Sequence, residues 1–304
     1  MKPTAVYHWW SLPNEPPVYE NLRTPIIASI ASLRAVSDVP VVVLDLSDFN
    51  VDWGYFPQKL NFEVIKHKPK LTPYQNLVEG WRHLSRIPDL YAWAQNDVLY
   101  VDSDIFFFQD PFPLSCVTDK FCWDGWNTGF FYFNPNAKLC QEFYEIFDSY
   151  CMSAIHSQEI RKLMKSYLQY DSWYGVWDEM ILSFFKFEHS HLFNYIPLQE
   201  HTTARVLAQC PKPKVFHANG SLVSNPLTHE VNARGLLPIM ISEFFNNVIK
   251  VLSTSDLMKM YGQLLTHFEN QKISLLENAN KLEGCKDQNG HYHLNFLFKN
   301  IKMI

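Results

Sequence analysis

The chain has 304 residues, of which 47% are hydrophobic, and its formal net charge is −5. This length and apolar content suffice for one large α/β domain or a domain with an appendage. The acidic balance excludes the broad basic field that nucleic-acid binding needs. No apolar run approaches the roughly 18 residues of a membrane span, so we expect neither a nucleic-acid partner nor a membrane span.

The N-terminal stretch lacks the long apolar core of a signal peptide. None of the six cysteines forms a Cys-x-x-Cys pair with another. We therefore expect reduced thiols in a cytoplasmic protein, with oxidised pairs as the open alternative.

Strands and helices alternate through the first half of the chain. Thr24 followed by Pro25 indicates a helix start, because proline suits the first helical position. A second helix is predicted over residues 73–86, and strands are predicted over residues 4–8, 39–45, 62–65 and 98–102. Because alternating strands and helices indicate βαβ units, the predicted fold class is α/β, with a mixed, mostly parallel sheet flanked by helices.

The second half begins with an apolar strand over residues 129–133, after which Asn134-Pro135-Asn136 is predicted to start a helix. Ser157 is predicted to cap a helix that ends near Tyr167, and an apolar run after Asp178-Glu179 indicates another helix. Past about residue 225 the apolar spacing predicts only helices, over residues 239–252 and 256–282. We expect a domain of residues 1–225 and a helical C-terminal extension of residues 226–304.

The most informative stretch runs from Val98 to Asp104, where an apolar strand ends in two carboxylates. Ligands of α/β sheets bind beyond the carboxyl ends of strands, and residues two apart on a strand share a face. Asp102 and Asp104 therefore form an oxygen-rich site suited to Mn²⁺ or Mg²⁺. The alternative is a solvated turn, in which aspartate is common. The apolar flanks count against it, because burying unpaired carboxylates among apolar residues costs free energy.

Four motifs in order resemble the GT-A glycosyltransferases, most closely family 8, the glycogenin-like and bacterial galactosyltransferase-like retaining enzymes. The motifs are Leu99-Tyr100-Val101-Asp102-Ser103-Asp104, Asn127-Thr128-Gly129, Asp178-Glu179 and His217-Ala218-Asn219-Gly220. The resemblance covers about residues 1–225. It implies that these residues form a GT-A catalytic domain. From its helical pattern, the extension is expected to pack back on the core as a pair of helices, with an acceptor-side or oligomer-forming element as the alternative.

The resemblance implies a metal site made of Asp102, Asp104 and His217, which would hold Mn²⁺ (or Mg²⁺). A mixed carboxylate and imidazole set suits Mn²⁺, with diphosphate oxygens of the donor in the remaining positions. Without the order of the four motifs, His217 would be interpreted as an ordinary histidine in a turn. His189 and His191 also form a His-x-His pair, but we expect them to be surface or helix-end residues.

The resemblance also implies a carboxylate that acts at the anomeric carbon of the donor sugar. Asp178 and Glu179 lie at a predicted helix N-terminus, where the helix dipole stabilises ionised carboxylates. Family 8 usually has glutamine after the aspartate, whereas the Asp-Glu pair resembles family 6, the blood-group-type transferases. Glu179 is therefore the predicted nucleophile or cation stabiliser, and Asp178 the predicted contact to a sugar hydroxyl or the acceptor. Helix-capping acids are the alternative.

The remaining residues taken from the resemblance surround the donor and the acceptor. The predicted donor-binding residues are Tyr7, His8, Trp9, Arg82, Arg86, Ser103, Asn127, Gly129 and Gly220. The predicted acceptor contacts are Trp123, Asp124 and Trp126, with core packing as the alternative for the aromatic residues. The family's lysine after the histidine motif is missing here, and Lys212 and Lys214 precede that motif instead.

The function that follows is a metal-dependent, retaining glycosyltransferase that moves a sugar from a nucleotide sugar, expected to be a UDP-sugar, to a hydroxyl of a glycan or other acceptor. One alternative is a non-catalytic GT-A-like scaffold that binds sugar nucleotides. Another is a haloacid-dehalogenase-type phosphatase. That family usually has Thr or Val two residues after the second aspartate, whereas this chain has Phe106 there. The sequence leaves the transferred sugar and the oligomeric state open.

Overall fold

The structure is a computed structural model. It describes residues 2–9, 23–47, 49–70, 81–125, 127–167, 177–203, 213–217, 247–248, 250–253 and 256. These residues belong to two compact units, the first within Met1–Pro16, Val39–Asp102 and Pro113–Pro197, and the second within Pro17–Asp38, Ser103–Phe112 and Leu198–Ile304. Most of the predicted C-terminal extension, with nearly all of its two predicted helices, lies outside the described residues.

The described strands, in chain order, are β1 (Thr4–Trp9), β2 (Val41–Asp45), β3 (Glu63–Lys66), β4 (Val98–Val101), β5 (Ile105–Phe107), β6 (Phe121–Trp123), β7 (Phe130–Phe133), β8 (Phe193–Tyr195), β9 (His201–Thr203) and β10 (Val215–His217). The described helices are α1 (Arg23–Arg34), α2 (Phe56–Lys59), α3 (Trp81–Trp93), α4 (Lys138–His156), α5 (Gln158–Tyr167) and α6 (Trp177–Glu188).

The first unit contains a seven-stranded sheet in the order β3-β2-β1-β4-β7-β6-β8. Only the two pairs that include β7 are antiparallel among the described strands of this sheet. The carboxyl ends of the other six strands therefore meet at the edge where β7 begins. The α/β class with a mixed, mostly parallel sheet is confirmed.

Packing of aromatic side chains holds the strands whose ends form this edge of the sheet. β4 and β7 are buried at every position, as expected of central strands covered on both faces. The ring of Phe121 stacks on that of Phe143 with centres 4.1 Å apart, and Phe131 and Phe193 pack around it. Because these rings join β6, β7 and β8 to α4, they hold the loop between β6 and β7 in place.

The second unit contains a three-stranded sheet in the order β5-β10-β9. Helix α1 packs against β5, where the Ser32 hydroxyl accepts a hydrogen bond from the backbone N–H of Phe107 at 3.0 Å. The antiparallel register of β10 on β5 sets His217 opposite Ile105. This pairing brings the last residue of β10 beside the start of β5.

Three predicted helix boundaries are wrong. Helix α3 continues to Trp93 instead of ending at residue 86, and it contains Pro88. Helix α4 begins at Lys138, because residues 134–137 form a turn, and α1 begins at Arg23, one residue before the predicted cap Thr24. Proline signals a boundary in sequence, but tertiary packing decides whether the helix accepts it.

The Ser157 prediction is confirmed. Its hydroxyl accepts a hydrogen bond from the N–H of Ile160 at 3.2 Å, and α5 begins at the next residue. Strands β5, β6, β8 and β9 are not predicted from the sequence, and each of them is only three residues long. Across the described part of the chain, no helix combines the length and apolarity that crossing a membrane requires.

Candidate functional site

Asp102 follows β4 at the sheet edge, in register with the start of β7. Its backbone N–H donates to the carbonyl of Gly129 at 2.8 Å, which continues the β4–β7 pairing by one step. The Gly129 N–H in turn donates to Oδ1 of Asn127 at 2.6 Å. The hydroxyl of Tyr100 donates to Asp102 Oδ1. The neighbouring strand therefore fixes the backbone of Asp102, and Tyr100 of its own strand orients its carboxylate.

Arg86 connects this strand end to the start of α6. Its buried guanidinium Nη1 lies 3.6 Å from Asp102 Oδ1 and 3.5 Å from Asp178 Oδ2. The same nitrogen donates to the carbonyl and hydroxyl of Thr128 at 3.0 and 3.1 Å. Burial alone would lower the pKa of Arg86, but the nearby charges, Asp102 foremost, raise it above its usual value. Arg86 is thus a permanent buried cation between two carboxylates.

Glu179 is held by the loop between β6 and β7. Its Oε1 accepts a hydrogen bond from Asn127 Nδ2 at 2.7 Å and another from the N–H of Thr128 at 3.3 Å. Asn127 is itself fixed, because its N–H donates to Asp124 Oδ1 at 2.8 Å and its carbonyl accepts from Trp123 Nε1 at 2.7 Å. The Glu179 carboxylate therefore has a defined position on the same framework as Asp102.

Asp178 is fully buried, unlike its neighbour Glu179. Burial raises the pKa of Asp178, and the Arg86 guanidinium only partly offsets that rise. Its Oδ2 makes no hydrogen bond within the described residues and lies 3.5 Å from Arg86 Nη1. The two acids of the predicted pair thus have different environments, one inside the core and one partly exposed.

We expect the stability of the wild type relative to Asp178→Asn to decrease as the pH rises. Because the folded-state pKa of Asp178 is raised, the folded chain holds this proton more tightly than the unfolded chain. That contribution is complete below the unfolded pKa of about 3.9 and is lost as the pH passes the folded value. Urea unfolding of both proteins between about pH 4 and pH 8 measures it. A difference that stays constant or grows with pH would contradict the expectation.

In the second unit, Asp104 and His217 form a close pair. His217 Nε2 lies 3.0 Å from Asp104 Oδ1, and the imidazole is almost completely buried. The pairing of β10 with β5 explains the contact, since Asp104 directly precedes β5. The ring of His201 on β9 lies 6.1 Å from that of His217.

Chain connectivity keeps Asp102 close to this pair, because only Ser103 separates it from Asp104. Asp102, Asp104 and His217 together have the composition of a metal site. Two carboxylates and one imidazole fit the preferences of Mn²⁺, and the carboxylates alone fit Mg²⁺. His189 and His191 do not join such a group. His189 directly precedes a short 3₁₀ turn after α6, and His191 lies within that turn and is mostly exposed.

The three β1 residues predicted to bind the donor differ in exposure. Tyr7 is fully buried, so its ring offers no face to a ligand and the core-packing alternative describes it. Trp9 is nearly buried and packs edge-on against Trp53, with ring centres 5.7 Å apart. His8 lies at the sheet edge, where Nε2 is 3.3 Å from the buried carboxylate of Asp89.

The predicted acceptor contact at Trp123 needs correction. Its ring is fully buried in the core, so it cannot stack on a sugar in this structure. Asp124 is partly exposed and serves instead as the hydrogen-bond acceptor that fixes Asn127. The remaining predicted contacts, Trp126, Gly220 and the side chain of Arg82, lie outside the described residues, as does Lys212.

Three residues of this framework are absent from the sequence predictions, namely Thr128, Tyr100 and Asp89. Thr128 and Tyr100 lie within the motifs given above, and their hydroxyl groups could have indicated hydrogen bonding to the neighbouring site residues. Asp89 carried no local signal, because its partner His8 is 81 residues away.

Comparison with known proteins finds no matching family model and no matching curated sequence. Two solved glycosyltransferase structures resemble the fold. The galactosyltransferase LgtC, in complex with donor and acceptor sugar analogs, is 13% identical with a TM-score of 0.54, covering 83% of this chain and 97% of that chain. The apo form of GlyE from Streptococcus pneumoniae TIGR4 is 14% identical with a TM-score of 0.51, covering 84% of this chain.

This chain spans 64% of the length of GlyE. At such identities the likeness shows the fold alone. The chain therefore has the GT-A fold of glycosyltransferases, as the sequence motifs predicted.

Proposed function

We propose that this protein is a metal-dependent, retaining glycosyltransferase that moves a sugar from a UDP-sugar to a hydroxyl of a glycan. The observation that carries the proposal is the buried Arg86, which joins Asp102 at the end of β4 to Asp178 at the start of α6. This contact supports the proposal, because it links a metal-ligand candidate to the first turn of α6, which also carries Glu179. GT-A relatives with glycosyltransferase activity support the same assignment.

Asp102, Asp104 and His217 would hold the divalent cation, Mn²⁺ or Mg²⁺. When bound, the cation neutralises the diphosphate that leaves with the nucleotide. The close pair of Asp104 and His217 supports this set, because each donor is fixed by the strand that carries it. To bind the cation the imidazole would have to be neutral, and Nε2, the atom that faces Asp104, would be its ligand atom.

Glu179 is the residue assigned to the anomeric carbon of the donor sugar. As the bond to the diphosphate weakens, the sugar gains oxocarbenium character, and an ionised carboxylate attacks or stabilises it. The hydrogen bonds from Asn127 and Thr128 hold that carboxylate in one orientation. Its place in the first turn of α6 also favours the ionised form.

Arg86 and Asp178 are assigned supporting roles. Arg86 is too buried to meet the diphosphate, so it acts by neutralising and orienting Asp102. Asp178 is fully buried, which favours holding Arg86 over the sugar or acceptor contact predicted from the sequence. The lysine missing after the histidine motif is not replaced by Arg86, whose charge is already shared between two carboxylates.

A thermal-shift screen of nucleotide sugars, with and without Mn²⁺, tests the proposal. A ligand that binds the folded state at 100 times its dissociation constant adds about 2.7 kcal/mol of stability. We expect UDP-sugars with Mn²⁺ to raise the melting temperature, and either component alone to raise it less. Stabilisation by a different nucleotide class, or an unchanged shift after EDTA is added, would contradict the UDP or metal assignment respectively.

A further inference from the structure

A second surface lies on the same sheet edge as Glu179, within the first unit. In the sheet order, β8 is three strands from β4, and β4, β6 and β8 all run in the same direction. Tyr195 ends β8 at the edge where Asp102 follows β4. At about 4.8 Å per strand, the two positions are separated by roughly 14 Å along the edge.

The surface consists of Tyr195, Gly125, Lys186 and Phe187, and is called the Tyr195 surface below. Tyr195 is 50% exposed and Phe187 is 62% exposed, which is unusual for large rings in the part of the chain that the structure describes. Gly125 has φ of +87°, and a Cβ there would lie 3.2 Å from the Tyr195 ring. Glycine at this position therefore allows the ring to lie directly against the backbone.

Lys186 holds the surface together. Its Nζ donates to the carbonyl of Gly125 at 3.2 Å and lies 5.4 Å from the ring centre of Phe187. Burial lowers the pKa of Lys186, while the carboxylate of Asp124 opposes that shift. The ammonium thus lies near the exposed ring of Phe187 and the buried ring of Trp123, whose centre is 5.9 Å away, and it interacts with the carboxylate of Asp124.

A path of direct contacts joins this surface to Glu179. Glu179 accepts a hydrogen bond from Asn127, and the Asn127 N–H donates to Asp124. Asp124 adjoins Gly125, which contacts both Lys186 and Tyr195. The Tyr195 surface is therefore fixed relative to the carboxylate assigned to the reacting sugar.

We propose that the Tyr195 surface binds a sugar unit of the acceptor that lies beyond the unit being glycosylated. This inference rests on the proposed function and specifies its acceptor as an oligosaccharide or polysaccharide. Exposed aromatic rings take the apolar C–H face of a sugar, and charged groups beside them bond to its hydroxyls. The distance of roughly 14 Å from Asp102 leaves room for the donor sugar and the reacting acceptor unit in between.

Acceptor-length dependence tests this inference. The wild type is assayed with UDP-sugars for hydrolysis without acceptor, then for transfer to malto-oligosaccharides and chito-oligosaccharides of increasing length. We expect longer acceptors to have a lower KM, and Tyr195→Ala to raise that KM by about threefold to tenfold. In Tyr195→Ala, the rates of UDP-sugar hydrolysis and of transfer to monosaccharides should equal those of the wild type. Tyr195→Phe, which keeps the ring, should behave like the wild type.

Tyr55→Ala is the matched control, because Tyr55 is also an exposed tyrosine of the first unit but precedes α2, near β3 at the opposite end of the sheet. Equal KM values for all acceptor lengths, an equal effect of Tyr195→Ala on all of them, or transfer only to a peptide would overturn the inference. Absence of hydrolysis in the wild type would count against the proposed function instead. Saturation-transfer NMR with the same oligosaccharides measures their binding directly. Binding by the wild type that is lost in Tyr195→Ala supports the inference, and absence of binding by the wild type overturns it.

Discussion

Glu179→Gln is expected to lower the rate of sugar transfer by about 10²- to 10⁴-fold while the protein stays folded. Glutamine keeps an oxygen that can accept the hydrogen bonds from Asn127 and Thr128, so the framework around it should persist. Only the negative charge is lost, and that charge is what an oxocarbenium-like sugar requires. Steady-state transfer rates, with circular dichroism to confirm folding, measure the effect.

Glu188→Gln is the control for this substitution, because Glu188 is exposed at the other end of α6. It should leave the transfer rate unchanged. Family 8 enzymes, which the motifs resemble, usually carry glutamine at the Glu179 position. Transfer by Glu179→Gln within a few fold of the wild-type rate would therefore show that this chain, too, works without a carboxylate there.

The second large effect is expected at the metal-ligand candidates. Asp104→Asn should reduce transfer by at least about 100-fold, because an amide is a poor ligand for a hard divalent cation. The substitution retains the size of the side chain, and His217 remains in place on β10. A titration with Mn²⁺ should show that the remaining activity needs a higher metal concentration than the wild type does.

Asp52→Asn supplies the matched control, since Asp52 lies in an exposed turn, where it accepts a hydrogen bond from the N–H of Gly54 at 2.8 Å. Its transfer rate and Mn²⁺ requirement should match those of the wild type. Unchanged activity in Asp104→Asn or in Asp102→Ala would remove the metal assignment, and with it the account of how the diphosphate leaves.

Buried strands were the most predictable part of the fold. β1, β2 and β4 are continuous runs of apolar and β-branched residues, which is how central strands covered on both faces appear in sequence. β5, β6 and β8 could not be predicted, because three residues give no period to count. Their existence depends on the partner strands and on contacts such as that of Phe121 with Phe143.

The site was partly predictable for the same physical reasons. Strand ends and helix starts are local features, so Asp102 and Glu179 could be found from sequence. The contacts of Arg86 could not be predicted, because only tertiary packing brings it to Asp102 and Asp178. The Tyr195 surface was also hidden, since exposure of a ring and the edge position of β8 are properties of the folded sheet.

The central claim is tested most directly by following the anomeric proton of the product by NMR during transfer from a UDP-sugar with Mn²⁺ present. The account predicts a product with the same anomeric configuration as the donor, formed only with the metal and not by Asp104→Asn. A product of inverted configuration, or transfer that continues undiminished in EDTA, would contradict it.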